Sequence, residues 1–248
     1  MNDNNKYFEV YEQTDGARTA EFRSDGLLFS EETGRNRGGA RNVEASNLLR
    51  SVPLTNPKAY GSWRAEQSAR GQQEKLVRWA RENGCFFDEE SHIEIGKLPH
   101  DKDTWGMESE VYKYGDCYVL KIMDYSRFSR RPIDFLDDRI TKHNMVFPEA
   151  PYELLGIMHY QNDEGDDVFY FVTRQPIINA GETDPTPQEI EEDMAKKGFV
   201  KDISNSYVLK GKHGETLLRA RDCHTKNFIK TARGNIICID SVVERAIW

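Results

Sequence analysis

The feature that most constrains the fold is a turn. Glu110 to Tyr114 and Tyr118 to Met123 are short runs rich in β-branched and aromatic residues, and Gly115-Asp116 between them is a tight hairpin signal. With His92 to Ile95 as a third run, the middle of the chain is expected to begin as a β-meander. A helix follows it. Pro132 suits a first helical turn, Ile133, Leu136, Ile140 and His143 recur at helical spacing, and Pro148 closes the element. Tyr152 to Tyr160 and Asp167 to Thr173, divided by the turn-forming Asn162-Asp163-Glu164-Gly165, extend the same sheet.

Elements on either side complete an α+β pattern. Upstream, Arg64 to Asn83 places Ala65, Ala69, Leu76, Trp79 and Ala80 on one side of a helix that Gly84 can cap. Downstream, Thr186 at the N-cap, Pro187 after it and acidic residues in the first turn predict a helix running to about Lys197. The last element expected is a hairpin, Asn227 to Lys230 and Asn235 to Ile239, turning at Arg233-Gly234 with Asp240 just past its end. Residues 1–63 are polar and read as an arm or linker with a short strand pair at Tyr7 to Phe29. Residues 64–175 hold the first helix and the sheet, and 176–248 form a smaller second part.

Composition serves mainly to exclude. A hydrophobic content of 38% is enough for a folded core. A net charge of −8 with no long Lys/Arg stretch argues against a nucleic-acid partner. No apolar run reaches about 18 residues, and Met1 to Lys6 is polar where a signal peptide needs an apolar segment, so no membrane partner and a cytoplasmic location are expected. Cys85, Cys117, Cys223 and Cys238 form no CxxC pair and read as reduced thiols.

Three patterns that carry chemistry occur in order. The first is TWGMESEVY, Thr104 to Tyr112, a small-residue turn opening into a strand, with Lys121 on the next strand. A lysine so placed can hold the α/β-phosphates of a nucleotide while backbone N–H groups of the turn cover them. The second is ARDCHTKN, Ala220 to Asn227, with Asp222 and Asn227 five residues apart on a loop entering the last hairpin. The third is IICID, Ile236 to Asp240, in which four apolar residues deliver a carboxylate to the hairpin's end. A carboxylate and an amide facing across a hairpin suit Mg²⁺, which prefers oxygen ligands. Separately, each pattern has a plain reading: a solvated strand lysine, two turn formers, a strand-capping aspartate.

Together, in this order, they resemble the protein kinase superfamily: glycine-rich loop, strand lysine, catalytic-loop Asp with Asn five later, then a metal-binding Asp. Gly106 to Tyr112 looks like the second half of the glycine-rich loop, with Ser109 in place of its last glycine and Val111 in the valine position. Asp222 to Asn227 is similar to the DLHPxN loop of the aminoglycoside-phosphotransferase-like branch, His224 matching its histidine. FLDDRITKHNMVFPEAP, Phe135 to Pro151, and RQPIINAGETDPTPQEIEEDMAKKGF, Arg174 to Phe199, resemble the small Ser/Thr/Tyr kinase domains in polyvalent proteins of bacterial mobile elements. That resemblance spans about residues 74 to 248.

The resemblance implies an antiparallel-sheet N-lobe with one helix, a reduced C-lobe, and ATP- and Mg²⁺-dependent phosphotransfer to a hydroxyl acceptor, protein or otherwise. Lys121 would contact the α/β-phosphates, Asp222 would orient or deprotonate the acceptor, and Asn227 and Asp240 would bind Mg²⁺. Adenine would meet backbone groups near Thr173, Arg174 and Gln175, where a strand gives way to Pro176.

Departures are also visible. Kinases pair the strand lysine with a helix glutamate, whereas the helix here offers Asp134, Asp137 and Asp138, of which Asp137 is expected to take that role. Ala220 stands where the HRD histidine would, and Asp240-Ser-Val stands for DFG. Lys226 or His224 would supply the cation usually placed two residues after the catalytic Asp. Two further readings stay open: a pseudokinase that binds nucleotide as a sensor or scaffold, and a structural α+β domain.

Overall fold

A computed structural model describes residues 41, 43–49, 62–100, 109–127 and 129–245. The expected strand pair at Tyr7 to Phe29 and the loop carrying Gly106 lie outside these residues. Helix α1 spans Ser62–Glu82 and leads through Gly84, at φ +61°, into the short strand β1, Phe86–Phe87. Strands β2 (Ser109–Tyr114), β3 (Tyr118–Met123), β4 (Glu153–Gln161) and β5 (Asp167–Pro176) join β1 in a five-stranded sheet ordered β1-β4-β5-β3-β2. Tyr114 pairs with Tyr118, so the hairpin loop is Gly115-Asp116-Cys117 with Gly115 left-handed, one residue longer than the two-residue turn expected.

Alternation along the strands divides the core. Met123, Leu154, Ile157, Phe169 and Phe171 face one side with α1, while Leu120, Ile122, Leu155, Met158 and Val172 face the other. β1 runs parallel to β4, and the two backbones meet at Gly156, where Ile157 N–H donates to the Cys85 carbonyl at 3.1 Å. A Cβ at Gly156 would stand 1.9 Å from that carbonyl oxygen, so only glycine fits.

Helix α3 packs on the first face. It runs from Pro132–Phe135 through a π-helical stretch, Leu136–Thr141, into Lys142–Val146. Phe135 stacks on Phe171 with ring centroids 4.8 Å apart. The run His92 to Ile95, expected as a strand, lies instead in helix α2, Glu89–Ile95. Asp88 and Ser91 form a capping box there, and this local bonding outweighs the β preference of the two isoleucines. Residues 43–49, expected in a polar arm, are helical, with Ala45 and Leu49 buried in the α1 cluster.

The second part is richer in strands than its sequence suggested. Helix α4, Pro187–Lys196, has the expected Thr186 cap, closed into a box by Glu189. β6 (Phe199–Lys201), β7 (Tyr207–Lys210), β8 (Thr216–Arg221) and β11 (Val242–Arg245) form a sheet ordered β11-β8-β7-β6. The expected hairpin is β9 (Phe228–Lys230) with β10 (Ile236–Cys238). Phe147, at the end of α3, joins Met194, Phe199, Phe228 and Val243 in one core. No helix among the described residues is long and apolar enough to cross a membrane.

Candidate active site

Lys121 occupies the middle of β3, paired with Val111 on one side and Thr173 on the other; Thr173 pairs in turn with Leu154. Cross-strand partners share a face, so these four residues form a row on the side where α3 packs. The lysine is only 6% exposed. Its Nζ lies 5.0 Å from the centroid of the Tyr152 ring, 3.3 Å from the Tyr152 hydroxyl and 4.0 Å from Asp240 Oδ2, and donates to the Ile239 carbonyl at 3.4 Å.

The facing residues come from the second part. β8 ends at Arg221, which pairs with Val242, so Asp222 and Asp240 emerge at the same end of the β8–β11 ladder. Asp222 has φ +61°, a left-handed conformation uncommon for a residue with a side chain. Asn227 secures it: its Nδ2 donates to the Asp222 carbonyl at 2.8 Å and to Oδ2 at 2.9 Å. The Asn227 carbonyl accepts from Ile239 N–H at 2.9 Å. One chain of hydrogen bonds therefore runs from Asp222 through Asn227 and Ile239 to Lys121.

The amide orientation leaves Asn227 Oδ1 as an available acceptor, and Asp240 Oδ2 meets Lys121 alone among the described residues. Asp240 Oδ1 is filled: Tyr152 O–H donates to it at 2.9 Å and the Arg139 guanidinium is in direct contact with it. Asn144 brackets Tyr152, accepting from its N–H at 2.7 Å and donating to its carbonyl at 2.8 Å.

Arg139 corrects the expectation for α3. The ion-pair partner of Lys121 is Asp240, not Asp137, which is half-buried on the π-helical stretch. Asp134 pairs with Arg131 and Asp138 with Lys142. Arg139 follows Phe135 by four residues and Leu136 by three, and precedes His143 by four, which centres it on the buried stripe; Asp137 lies off that centre. A charged residue on an apolar stripe was the signal that could have found it. Tyr152 gave none, since an aromatic opening a strand is ordinary core.

Electrostatics follow from burial and from these contacts. Burial alone would raise the Asp240 carboxyl, but Arg139, then Lys121, and the Tyr152 hydroxyl hold it at about 2, so it is ionised. Burial lowers Lys121, and nearby Arg139 acts in the same direction against the opposing pull of Asp240. Burial pushes His143 down to about 3, leaving it a neutral ring 3.2 Å from Ser241 Oγ. The Cys223 thiol is pushed up to about 12 by burial, and Cys238 is raised for the same reason.

The remaining expected residues divide. His224 Nε2 stands 3.3 Å from Asp222 Oδ1, whereas Lys226 is exposed. Ser109 opens β2 opposite Met123, two residues before Val111. Thr173 and Arg174 lie between β3 and β4, their backbones flanked on both sides, because β4 and β5 pair further than the sequence suggested. The Arg174 side chain bonds Glu153 at 2.8 Å and covers the Tyr118 ring at 4.4 Å. Gln175 is the first of the three with β3 on one flank only, and its side chain donates to the Ala150 carbonyl at 2.8 Å.

In comparisons with known proteins, the family model described as Serine/Threonine/Tyrosine Kinase found in polyvalent proteins matches residues 69–245. No curated protein and no solved structure matches the chain.

Proposed function

The chain belongs to the family of serine/threonine/tyrosine kinases found in polyvalent proteins, and from that premise we propose that it is an ATP- and Mg²⁺-dependent phosphotransferase with a hydroxyl acceptor. The observation that carries the reading is the approach of Lys121 to the Ile239-Asp240 segment, more than a hundred positions away, with Asn227 and Asp222 on the same hydrogen-bonded chain. Lys121 holds the α/β-phosphates above the floor made by Val111 and Thr173. Asp222, at the exposed end of that hydrogen-bonded chain, accepts the proton of the incoming hydroxyl. The loop at Gly106 and Ser109 covers the phosphates, and adenine meets backbone from Gln175 onward. Asn227 Oδ1 and Asp240 Oδ2 are the hard oxygen donors that suit Mg²⁺, which when bound neutralises charge developing on the transferred phosphoryl group.

A second reading, a nucleotide-binding scaffold without turnover, is favoured by one observation: Asp240 already has a buried guanidinium against it. Incubation with γ-labelled ATP separates the two. Transfer or hydrolysis that falls by at least about a hundredfold in Asp222→Ala and in Asp240→Asn supports the enzyme. Binding of Mg·ATP with no turnover in the intact chain supports the scaffold, and no binding at all removes both.

A further inference from the structure

We infer that Tyr152 is a positioning residue that holds Lys121 and Asp240 apart: its hydroxyl, bridging ammonium and carboxylate, keeps the first available to phosphate and the second to metal. The inference rests on the nucleotide reading above and adds a residue to its machinery.

Geometry carries it. Among the described residues the Lys121 ammonium has three polar neighbours: the Tyr152 hydroxyl at 3.3 Å, the Ile239 carbonyl at 3.4 Å and Asp240 Oδ2 at 4.0 Å. The last distance is about an ångström longer than a charge-assisted N–H···O bond, so the two charges are near without closing on each other. Tyr152 links them instead. Its O–H donates to Asp240 Oδ1 at 2.9 Å and its oxygen accepts from Lys121, with the Ile239 carbonyl 3.3 Å from the same hydroxyl. Burial, and after it the charge of Asp240, raises this hydroxyl well above its ordinary value, so it keeps its proton and donates.

The tyrosine has no room to turn away. It is fully buried, Asn144 bonds both its N–H and its carbonyl, and the His143 ring meets it edge-on with centroids 4.9 Å apart. A helix carboxylate would hold the lysine by cancelling its charge, whereas a neutral hydroxyl holds it and leaves the charge for phosphate. Arg139 contacts Asp240 Oδ1 directly and keeps the carboxylate in place. On loss of the hydroxyl the group that moves is therefore Lys121, at the end of a flexible stem. It closes on Asp240 Oδ2, and the cation meant for phosphate and the oxygen meant for metal are lost together.

The test is Tyr152→Phe in the full chain, which keeps the ring and removes the oxygen, followed by crystallography and by calorimetry with Mg·ATP. In the variant Lys121 Nζ is expected within about 3 Å of Asp240 Oδ2, and Mg·ATP should bind at least about tenfold more weakly than to wild type. A merely structural tyrosine could weaken binding but would not bring lysine and carboxylate together. A variant in which the gap keeps its wild-type width, or which binds Mg·ATP as wild type does, overturns the inference and leaves the kinase reading standing. Should the variant fail to fold, a crystal structure of wild type with Mg²⁺ and a non-hydrolysable ATP analogue decides. Lys121 on the phosphates with the Tyr152 hydroxyl still bonded to Asp240 supports the inference, and Lys121 bonded directly to Asp240, or a hydroxyl turned elsewhere, overturns it. Absence of Mg·ATP binding by wild type overturns the nucleotide reading instead, since closure of the gap in the variant needs no nucleotide.

Discussion

β3 and β5 lie side by side over six residue pairs, flanked by β2 and β4 and packed on both faces, whereas β9 and β10 pair over three residues and belong to a single small cluster. Lys121 comes from the first kind of element. Asp222, Asn227 and Asp240 come from loops and strand ends of the second. The cation is thus fixed by a sheet, while the carboxylates are fixed by side-chain bonds: Asn227 on Asp222, Arg139 and Tyr152 on Asp240. The position of the lysine therefore depends on sheet pairing, and the positions of the carboxylates on a few side-chain contacts that single substitutions can remove.

The contrast can be broken by truncation in each core. Phe171→Ala removes a fully buried ring from the first part and should cost about 3–5 kcal/mol, with Met194→Ala in the second costing about 2–5 kcal/mol. Amide hydrogen exchange reads the difference: Phe171→Ala should loosen β3 to β5, and Met194→Ala should loosen α4 and β6 to β8 while β3 and β5 stay protected. Uniform loosening in both variants would mean one cooperative unit and remove the contrast.

The seam between the parts gives a pH signature. His143 is neutral in the fold at about 3, below its ordinary unfolded value of about 6.5. Between these values the unfolded chain binds the proton and the folded chain does not, so stability falls as pH drops through that window, by roughly 2 kcal/mol from pH 6.5 to 5. Asp240 adds nothing there, because its folded value of about 2 lies below an unfolded value near 4, and its contribution is lost only in more acid solution. Denaturant midpoints at pH 6.5 and 5 should differ in wild type, and the difference should shrink in His143→Gln.

The smallest effect is at a cap. Thr186→Ala loses the acceptor for Glu189 N–H and should destabilise by about 1 kcal/mol, with faster exchange at the start of α4 and none added in β3. Spread of that effect into β3 would show the two parts to be more tightly coupled than their contacts suggest.

Sequence carried the elements whose signals are local. The start of α3 at Pro132, the Thr186 cap and the Arg233-Gly234 hairpin appear where turn and cap chemistry put them, and the β2–β3 turn does so with one residue more than expected. β6, β7 and β11 are only three or four residues long and carry little periodicity, while β8 is as long as β2 and β3 but is led up to by turns at Asn205 and Gly214, both with positive φ, that carry no strong dipeptide signal. Within the site, Lys121 and Asp240 meet as their order along the chain implied. Arg139 is legible as a charged residue on an apolar stripe and Tyr152 is not, but the partner of neither is, because no spacing within α3 or beside β4 encodes that Asp240 lies opposite.

The account turns on Lys121 facing the phosphates of a bound nucleotide. An ATP analogue with a reactive acyl phosphate at its phosphate end modifies the lysine beside it, and mass spectrometry of the digested chain locates the adduct. Modification concentrated at Lys121, suppressed by excess Mg·ATP and weakened in Asp240→Asn, is the predicted result. Modification spread over exposed lysines such as Lys226, unaffected by ATP, would contradict it.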